Sequence, residues 1–407
     1  TVGARGTDDG TLASVVVERE GEVDARDVEL SLQVGVIHAN LKIGTNVTKV
    51  QRLRANSEIS AMGMILVGSG FIVEPGDPLI KLEPDRIRPY LNGKDLTQRS
   101  RGVYVIDMYG LSAEEVRNQY PACFQRLYER VKPERDVSND KTLRELWWLF
   151  RRTNIQLRRA IADLHRYIGT TETAKHRLFS FIPGSVTPDQ KIRVVGSDSA
   201  VLLGVLSSAV HVEWSLAVGG TLEDRPVYNN TNCFEPFPFP HDDTGLTPAQ
   251  AEYIGQLAEQ LDAHRKARQA AHESVTLTGM YNVLDKLRKG EALNAKDKLM
   301  HEQALVSVLQ SLHDELDAAV LTAYGWSDLG PVPWRDEPAR AAWIETLLQR
   351  LVDLNARRAA EEATGTVRWL RPEFQDPARR SAASTTQQAD IVGIETEEQA
   401  HAKALEN

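Results

Sequence analysis

The sequence predicts an α+β fold, on three observations. Its first 110 residues carry β-branched runs and loops, residues beyond Thr247 are helical throughout, and the stretch between them alternates strand-like with helix-like segments. At 407 residues the chain exceeds one ordinary core, so two or three domains are expected.

Taken in order, LASVVVE (12–18), ELSLQVGVI (29–37), FIV (71–73) and VYVIDM (103–108) read as strands. Ser112 and Glu115 form a capping box. Pro121 suits the first turn of a helix carrying Phe124, Leu127, Tyr128 and Val131. TLRELWWLF (142–150) continues as a helix with Leu143, Leu146, Trp147 and Phe150 on one face. RLFSFIP and KIRVV are strands joined by the turn-rich GSVTPDQ. AVLLGVLSSAVHVEWSLAVGG (200–220) is apolar nearly all round, which predicts one buried helix with a glycine C-cap. Thr247, Pro248 and Gln250 open the helical part. Leu305, Val308, Leu309, Leu312, Leu316 and Val320 keep helical spacing, as do Ile344, Leu347, Leu348 and Leu351. The end, from about residue 377, is rich in Ser, Thr, Gln, Ala and Glu and is expected to be a disordered tail.

PVYNNTNCFEPFPFP (226–240) fits none of these patterns. Its prolines exclude a helix interior and a central strand, yet Phe234, Phe237 and Phe239 need an apolar surface. An extended strap that docks its rings on a neighbour is the local expectation.

Hydrophobic content of 42% and charged content of 26% are ordinary globular values. Two cysteines, Cys123 and Cys233, give no disulfide framework and favour the cytoplasm. No apolar run reaches the ~20 residues of a membrane helix, so no membrane partner is expected. The net charge of −9 is uneven: residues 123–180 hold thirteen bases against seven acids, +6, which leaves −15 elsewhere. Such a basic middle suits contact with phosphate, or forms a solvated helix face.

Complete chemistry is missing. Gly93-Lys94 is followed by Asp95, which rules out a phosphate loop of the Gly-Lys-Ser/Thr type. GSGF (68–71) resembles a glycine turn without the helix that a cofactor site needs. PDRIRPYLNGK (84–94) has Asn92 where a nuclease would need its second carboxylate. The histidines show no metal-ligand spacing, so neither a catalytic nor a metal site is predicted.

Several ordered segments share one resemblance: RPYLNGKDL, YPACFQRLYERVKPERD, LWWLFRR, RYIGTTETAKHRLFSFIP, LGVLSSAVHVEWSLAVGG and VYNNTNCFEPFPFP, then MYNVLDKLRKGEAL, HEQALVSVLQSLHDELDAAVLTAYGW and VRWLRPEFQ. Together they resemble the C-terminal part of large adenine-specific DNA methyltransferases of the type IIG restriction-modification and DISARM-type phage-defence class. The resemblance runs from residue 1 to about 375. It implies a partial α/β methyltransferase sheet over residues 1–72, a mixed α/β target-recognition domain over 73–245, and a C-terminal helical bundle over 246–376. That family transfers a methyl group from S-adenosylmethionine to adenine N6, using a Pro-Pro-containing motif, and this chain contains no Pro-Pro pair. The cofactor site and the catalytic residues are therefore expected outside the chain, which alone would be inactive. Double-stranded DNA and a missing catalytic domain or subunit are the implied partners, with other defence-system proteins further out. A stand-alone specificity subunit serving a separate catalytic chain is the alternative, and a helical scaffold for a protein partner ranks last.

Phosphate contact requires exposed cations, and base contact requires planar hydrogen-bonding groups. The candidates are Arg151, Arg152, Asn154, Arg158 and Arg159; Lys175, His176 and Arg177; and Arg86, Arg88, Asn92 and Lys94. Asn229 and Asn230, with Asn232, either read adenine edges or cap a loop. At least one of Trp147 and Trp148 is expected in the core rather than stacked on bases.

Overall fold

The computed structural model describes residues 9–20, 26–38, 43–222 and 225–379. Strands β1 (Gly10–Glu20) and β2 (Arg26–Gly35) pair only with each other, as an antiparallel hairpin. Then come β3 (Ser60–Met62), β4 (Ile72–Val73), the single turn α1 (Leu79–Leu82), β5 (Ile87–Leu91), α2 (Gly93–Thr97) and β6 (Tyr104–Ile106). Short helices follow: α3 (Ala113–Gln119), α4 (Pro121–Arg130), α5 (Lys132–Asp136), α6 (Lys141–Glu145) and α7 (Ile155–Ile161). The expected capping box of Ser112 with Glu115 and the N-terminal Pro121 are both in place.

Next are β7 (Arg166–Thr171), β8 (Ser180–Pro183), β9 (Thr187–Pro188) and β10 (Ile192–Val195). They build two four-stranded sheets, ordered β3-β10-β7-β8 and β4-β6-β5-β9. The first sheet is a wall between two cores. Alternation along its strands sends Ile168, Phe181 and Val195 to one side, and Tyr167, Ile182, Ile192 and Val194 to the other. Residues 60–62, expected among trailing methyltransferase strands, pair with β10 in this sheet. Gly63 is required there: a Cβ would stand 2.2 Å from the Asp189 carbonyl oxygen.

The expected single helix over 200–220 is two, α8 (Ala200–Ser207) and α9 (Ala209–Val218), bent by 61°. Ser208 is extended, and the Ala209 amide donates to the buried Asp317 carboxylate at 2.6 Å. A carboxylate 108 residues away thus caps the second helix, at a break that no proline marks. Gly219, the residue after α9, is extended rather than left-handed. No single helix is long and apolar enough to cross a membrane; this bent pair passes only jointly, and most of its residues are buried.

The small hairpin β11 (Gly220–Leu222) and β12 (Arg225–Val227) leads into the strap. Helices α10 (Pro248–Ala271), α11 (Leu277–Lys289), α12 (Ala295–Ala304), α13 (Val306–Ala323), α14 (Glu337–Ala363) and the turn α15 (Pro372–Gln375) complete the chain. Helix α10 covers the edge strand β8. Asp262 accepts from the Phe181 amide, while Arg265 and Lys266 donate to the carbonyls of Phe179 and Phe181. One core holds the strap, α8, α9 and the bundle helices, so packing runs on without a break at the expected boundary of 245/246. The expected tail beyond Arg379 lies outside the described residues.

Phe234, Phe237 and Phe239 are buried in that core. The strap's carbonyls have no ladder to join; single backbone amides reach Phe234, Glu235 and Phe237, and side chains supply the remaining donors. The Asn56 amide donates to the carbonyls of Phe234, Glu235 and Phe237, and Asn355 donates to Pro236. Tyr324 donates to Pro238, and Arg358 to Phe239. The strap therefore joins the N-terminal segment to α13 and α14. Its first turn, Asn230–Phe234, is π-helical, held by the Trp214 indole on the Cys233 carbonyl at 3.0 Å.

Two outcomes follow. Asn56→Ala removes the shared side-chain donor from three strap carbonyls, each of which keeps one backbone amide, and should cost about 1 to 2 kcal/mol in chemical denaturation; a loss under about 0.5 kcal/mol would contradict the strap's role. Burial pushes Asp317 from the ordinary 3.8 up to about 7. The folded protein then keeps a proton that the unfolded chain releases, so this stability is full below the unfolded pKa and is lost as pH rises through 7. Asp317→Asn preserves the acceptor and should remove that decline. The buried His211 and His313, pushed down by burial, add an opposite slope common to both proteins, so the difference between wild type and variant is the readout.

Candidate nucleic-acid interface

Much of the basic middle is spent inside the fold. Arg135 is buried, and its guanidinium donates to the carbonyls of Leu66, Val67, Leu146, Trp147 and Leu149; desolvation holds its pKa down near 10. This is why residues 146–150 leave the helix expected there: α6 ends at Glu145, and the arginine gathers the carbonyls that a helix would have used. Trp147 and Trp148 are both buried, where at least one was expected, and Leu146 is exposed. Gly70 lies where α4 meets α5; a Cβ would stand 2.7 Å from that of Arg130. The GSGF turn thus serves close packing and does not fit a cofactor loop.

Seven candidates turn out to be structural. Arg177 is buried and donates to the carbonyls of Thr171 and Pro226, stacked 5.0 Å from the Tyr228 ring, with its pKa pushed down to about 10. Arg158 forks onto both Asp107 oxygens at 2.8 and 3.0 Å and covers Tyr109. Arg151 pairs with Asp140 at 2.7 Å. Arg86 packs on Tyr120 and donates to the Tyr109 carbonyl. Asn92 caps α2, while Asn154, in left-handed backbone, caps α7 and donates to the Met62 carbonyl. Asn229 accepts from the Asn232 amide, so the loop-capping alternative holds for it. Arg88 is half-exposed, 3.9 Å from Asp107, and Arg159 is exposed on α7.

The remaining candidates gather at one end of the first sheet. Arg193 on β10 is the register partner of Met62 on β3, and the exposed Arg152 reaches the Met62 sulfur at 3.2 Å. Arg193 also donates to the Tyr228 carbonyl, directly before the amide turn 229–232, and pairs with Glu172. Lys191 binds the same carboxylate at 2.7 Å. Gly93 lies against Thr171 and the Lys191 stem, which places the exposed Lys94 alongside. Beyond Glu172, Lys175 and His176 share the Asn282 amide oxygen of α11 at 2.8 and 2.9 Å. Burial lowers the His176 pKa, which favours its neutral form. Asn230 is half-buried, and its amide oxygen has no partner.

Lys191 and Arg193 thus hold Glu172, and Lys94, Arg152 and Lys175 lie on the segments next to them. The other nearby acids are engaged, Asp95 by Arg101 and Asp189 by the Tyr90 hydroxyl. Lys191 and Arg193 were missed because they sit in a strand-like KIRVV, outside the charge-rich segment. Their alternation with apolar residues was the available signal. The acidic cluster His241, Asp242 and Asp243 has ligand atoms close enough for a metal, but Arg357, Arg358 and Arg368 already pair with its carboxylates.

Residues 79–241 match the family described as MmeI, target recognition domain. No curated relative matches the chain. Among solved structures, the fold is similar to that of the Type IIL restriction-modification enzyme MmeI in complex with DNA. The TM-score is 0.60 at 17% identity, covering 86% of this chain and 42% of that one. The chain spans less than half the length of that enzyme, and the likeness extends through the helical region. The expected resemblance therefore holds for the recognition segment and for the fold.

The two classes of cation should respond differently to truncation. Arg135→Ala and Arg177→Ala strip donors from buried carbonyls and should each cost 3 kcal/mol or more, roughly. Lys94→Ala and Lys191→Ala should stay within about 0.5 kcal/mol of wild type in thermal or chemical unfolding. Equal losses in both classes would contradict the division.

Proposed function

We propose that this chain reads a DNA sequence for a restriction-modification enzyme. The observation that carries the reading is the gathering of Lys94, Arg152, Lys175, Lys191 and Arg193 with the Asn229–Asn230 turn, inside a segment that matches a target recognition domain. The lysines and Arg152 would hold phosphates and fix register. Arg193, set back against Glu172, and the Asn230 amide, held in place by the Asn229 cap, offer directional groups to base edges. The structural relative, an enzyme in complex with DNA, supports the same class.

The chemistry that follows recognition is assigned to a cytoplasmic methyltransferase that moves the S-adenosylmethionine methyl group to adenine N6. Its cofactor site lies outside the described residues, in a further domain or in a separate catalytic subunit. The β1/β2 hairpin supports a docking role toward that partner. Val15, Leu30, Leu32 and Val34 share one face and are 51–70% exposed, uncovered by the described residues.

Titration of mixed-sequence duplex at several salt concentrations is the test. Wild type should bind with a steep log–log salt dependence. The triple variant Lys94→Ala, Arg152→Ala, Lys191→Ala should weaken binding and flatten the slope by about 2 to 3. An unchanged slope would remove these residues from the interface.

A further inference from the structure

Helix α11 leaves the recognition region with Asn282 holding Lys175 and His176, and it ends at a cleft of about 400 Å³. The cleft lies between its last turn and the entry to α14, and Arg288, Gln310, Trp334 and Arg335 line it. Arg288 lies over the Trp334 ring at 4.2 Å, which fixes the guanidinium plane. Its Nε and Nη2 reach no hydrogen-bond acceptor, and its nearest carboxylates, Asp314 and Asp317, stand 3.6 and 4.0 Å from Nη2. Burial raises Asp317 to about 7, so at neutral pH only part of its charge opposes Arg288. Arg335 is exposed and makes no ion pair or hydrogen bond among the described residues. Asp336 also lines the cleft, with one oxygen committed to the Ala339 amide as the cap of α14.

An under-paired planar guanidinium beside a free one matches the fork geometry of a phosphate oxygen pair. A track leads there from the recognition surface. Asn282, Lys286 and Lys289 fall at helical i, i+4 and i+7 spacing, and Arg335 lies 3.4 Å from where a Cβ on Gly290 would stand. The lysines hold only the single carboxylates Asp297 and Asp285. From Asn282 to Gly290 the helix rises about 12 Å. That length matches the axial span of three to four phosphates on one strand, at about 3.4 Å each.

We propose that this cleft is a phosphate site of the helical region, and that its phosphate belongs to the DNA backbone flanking the recognised sequence. The DNA source rests on the function proposed above; the phosphate chemistry does not. Arg335→Ala in the full chain is the informative variant, because the side chain is exposed and structurally unengaged. Its log–log salt slope for mixed-sequence duplex should fall by about 0.9, with weaker binding and unchanged unfolding temperature. A second arm adds inorganic phosphate at constant ionic strength and follows the unfolding temperature of wild type and variant. Duplex binding lost only in part by Arg335→Ala supports the DNA source. A phosphate-dependent stabilisation that Arg335→Ala abolishes, with an unchanged duplex slope, supports a site for free phosphate and overturns the DNA source. Neither effect overturns the site altogether. Duplex binding absent in wild type would refute the functional reading separately, leaving the phosphate arm to decide the cleft.

Discussion

A strap built on Phe-Pro repeats can satisfy only part of its own backbone, and that constraint organises the molecule. Three proline nitrogens donate nothing, and the extended carbonyls between Phe234 and Phe239 lie among buried rings. Within the strap only the Phe237 and Phe239 amides donate, to Phe234 and Phe237, and the other donors come from three separate parts of the chain: Leu53 with Asn56, then Tyr324, then Asn355 with Arg358. The same junction receives the C-terminal return, where Gln375 donates to the carbonyls of Ala55 and Ser57. Glu362 accepts the amides of Arg54 and Ala55 beside it. The strap is thus the seam along which the recognition sheet is fixed to the helices. Its N-terminal turn is the piece that carries the amides to the cationic rim.

Arginines divide by what they find nearby. Arg135 and Arg177 are surrounded by carbonyls that loops and broken helices leave exposed, and they stay inside as donors. Arg158 and Arg126 find carboxylates at short range, Asp107 and Asp77. The cations left at the surface of the sheet are fewer, and they come from residues far apart in sequence: 94, 152, 175, 191 and 193. Net charge along the chain therefore singles out residues 123–180, whereas much of that charge is engaged inside the fold and two of the exposed-sheet cations, Lys191 and Arg193, lie outside it.

Elements with local signals were legible in the sequence: the capping box at Ser112, Pro121 at a helix start, the alternating β1/β2 runs and the Thr247 helix entry. Elements set by distant partners were not. The break at Ser208 depends on Asp317, and the early end of α6 depends on Arg135. The site was half legible for the same reason. Lys94, Arg152 and Lys175 stand out as exposed-type residues beside loops. Lys191 and Arg193 read as strand, and the burial of Arg177 is fixed by β7 and β12, which no local pattern reveals.

Amide hydrogen exchange of the full chain, with and without duplex DNA at low salt, tests the central claim most directly. The account predicts protection at residues 90–94, 150–154, 172–176, 189–193 and 229–232, with little change over α4 to α6. Protection concentrated on α4 to α6, with the sheet rim unaffected, would contradict it.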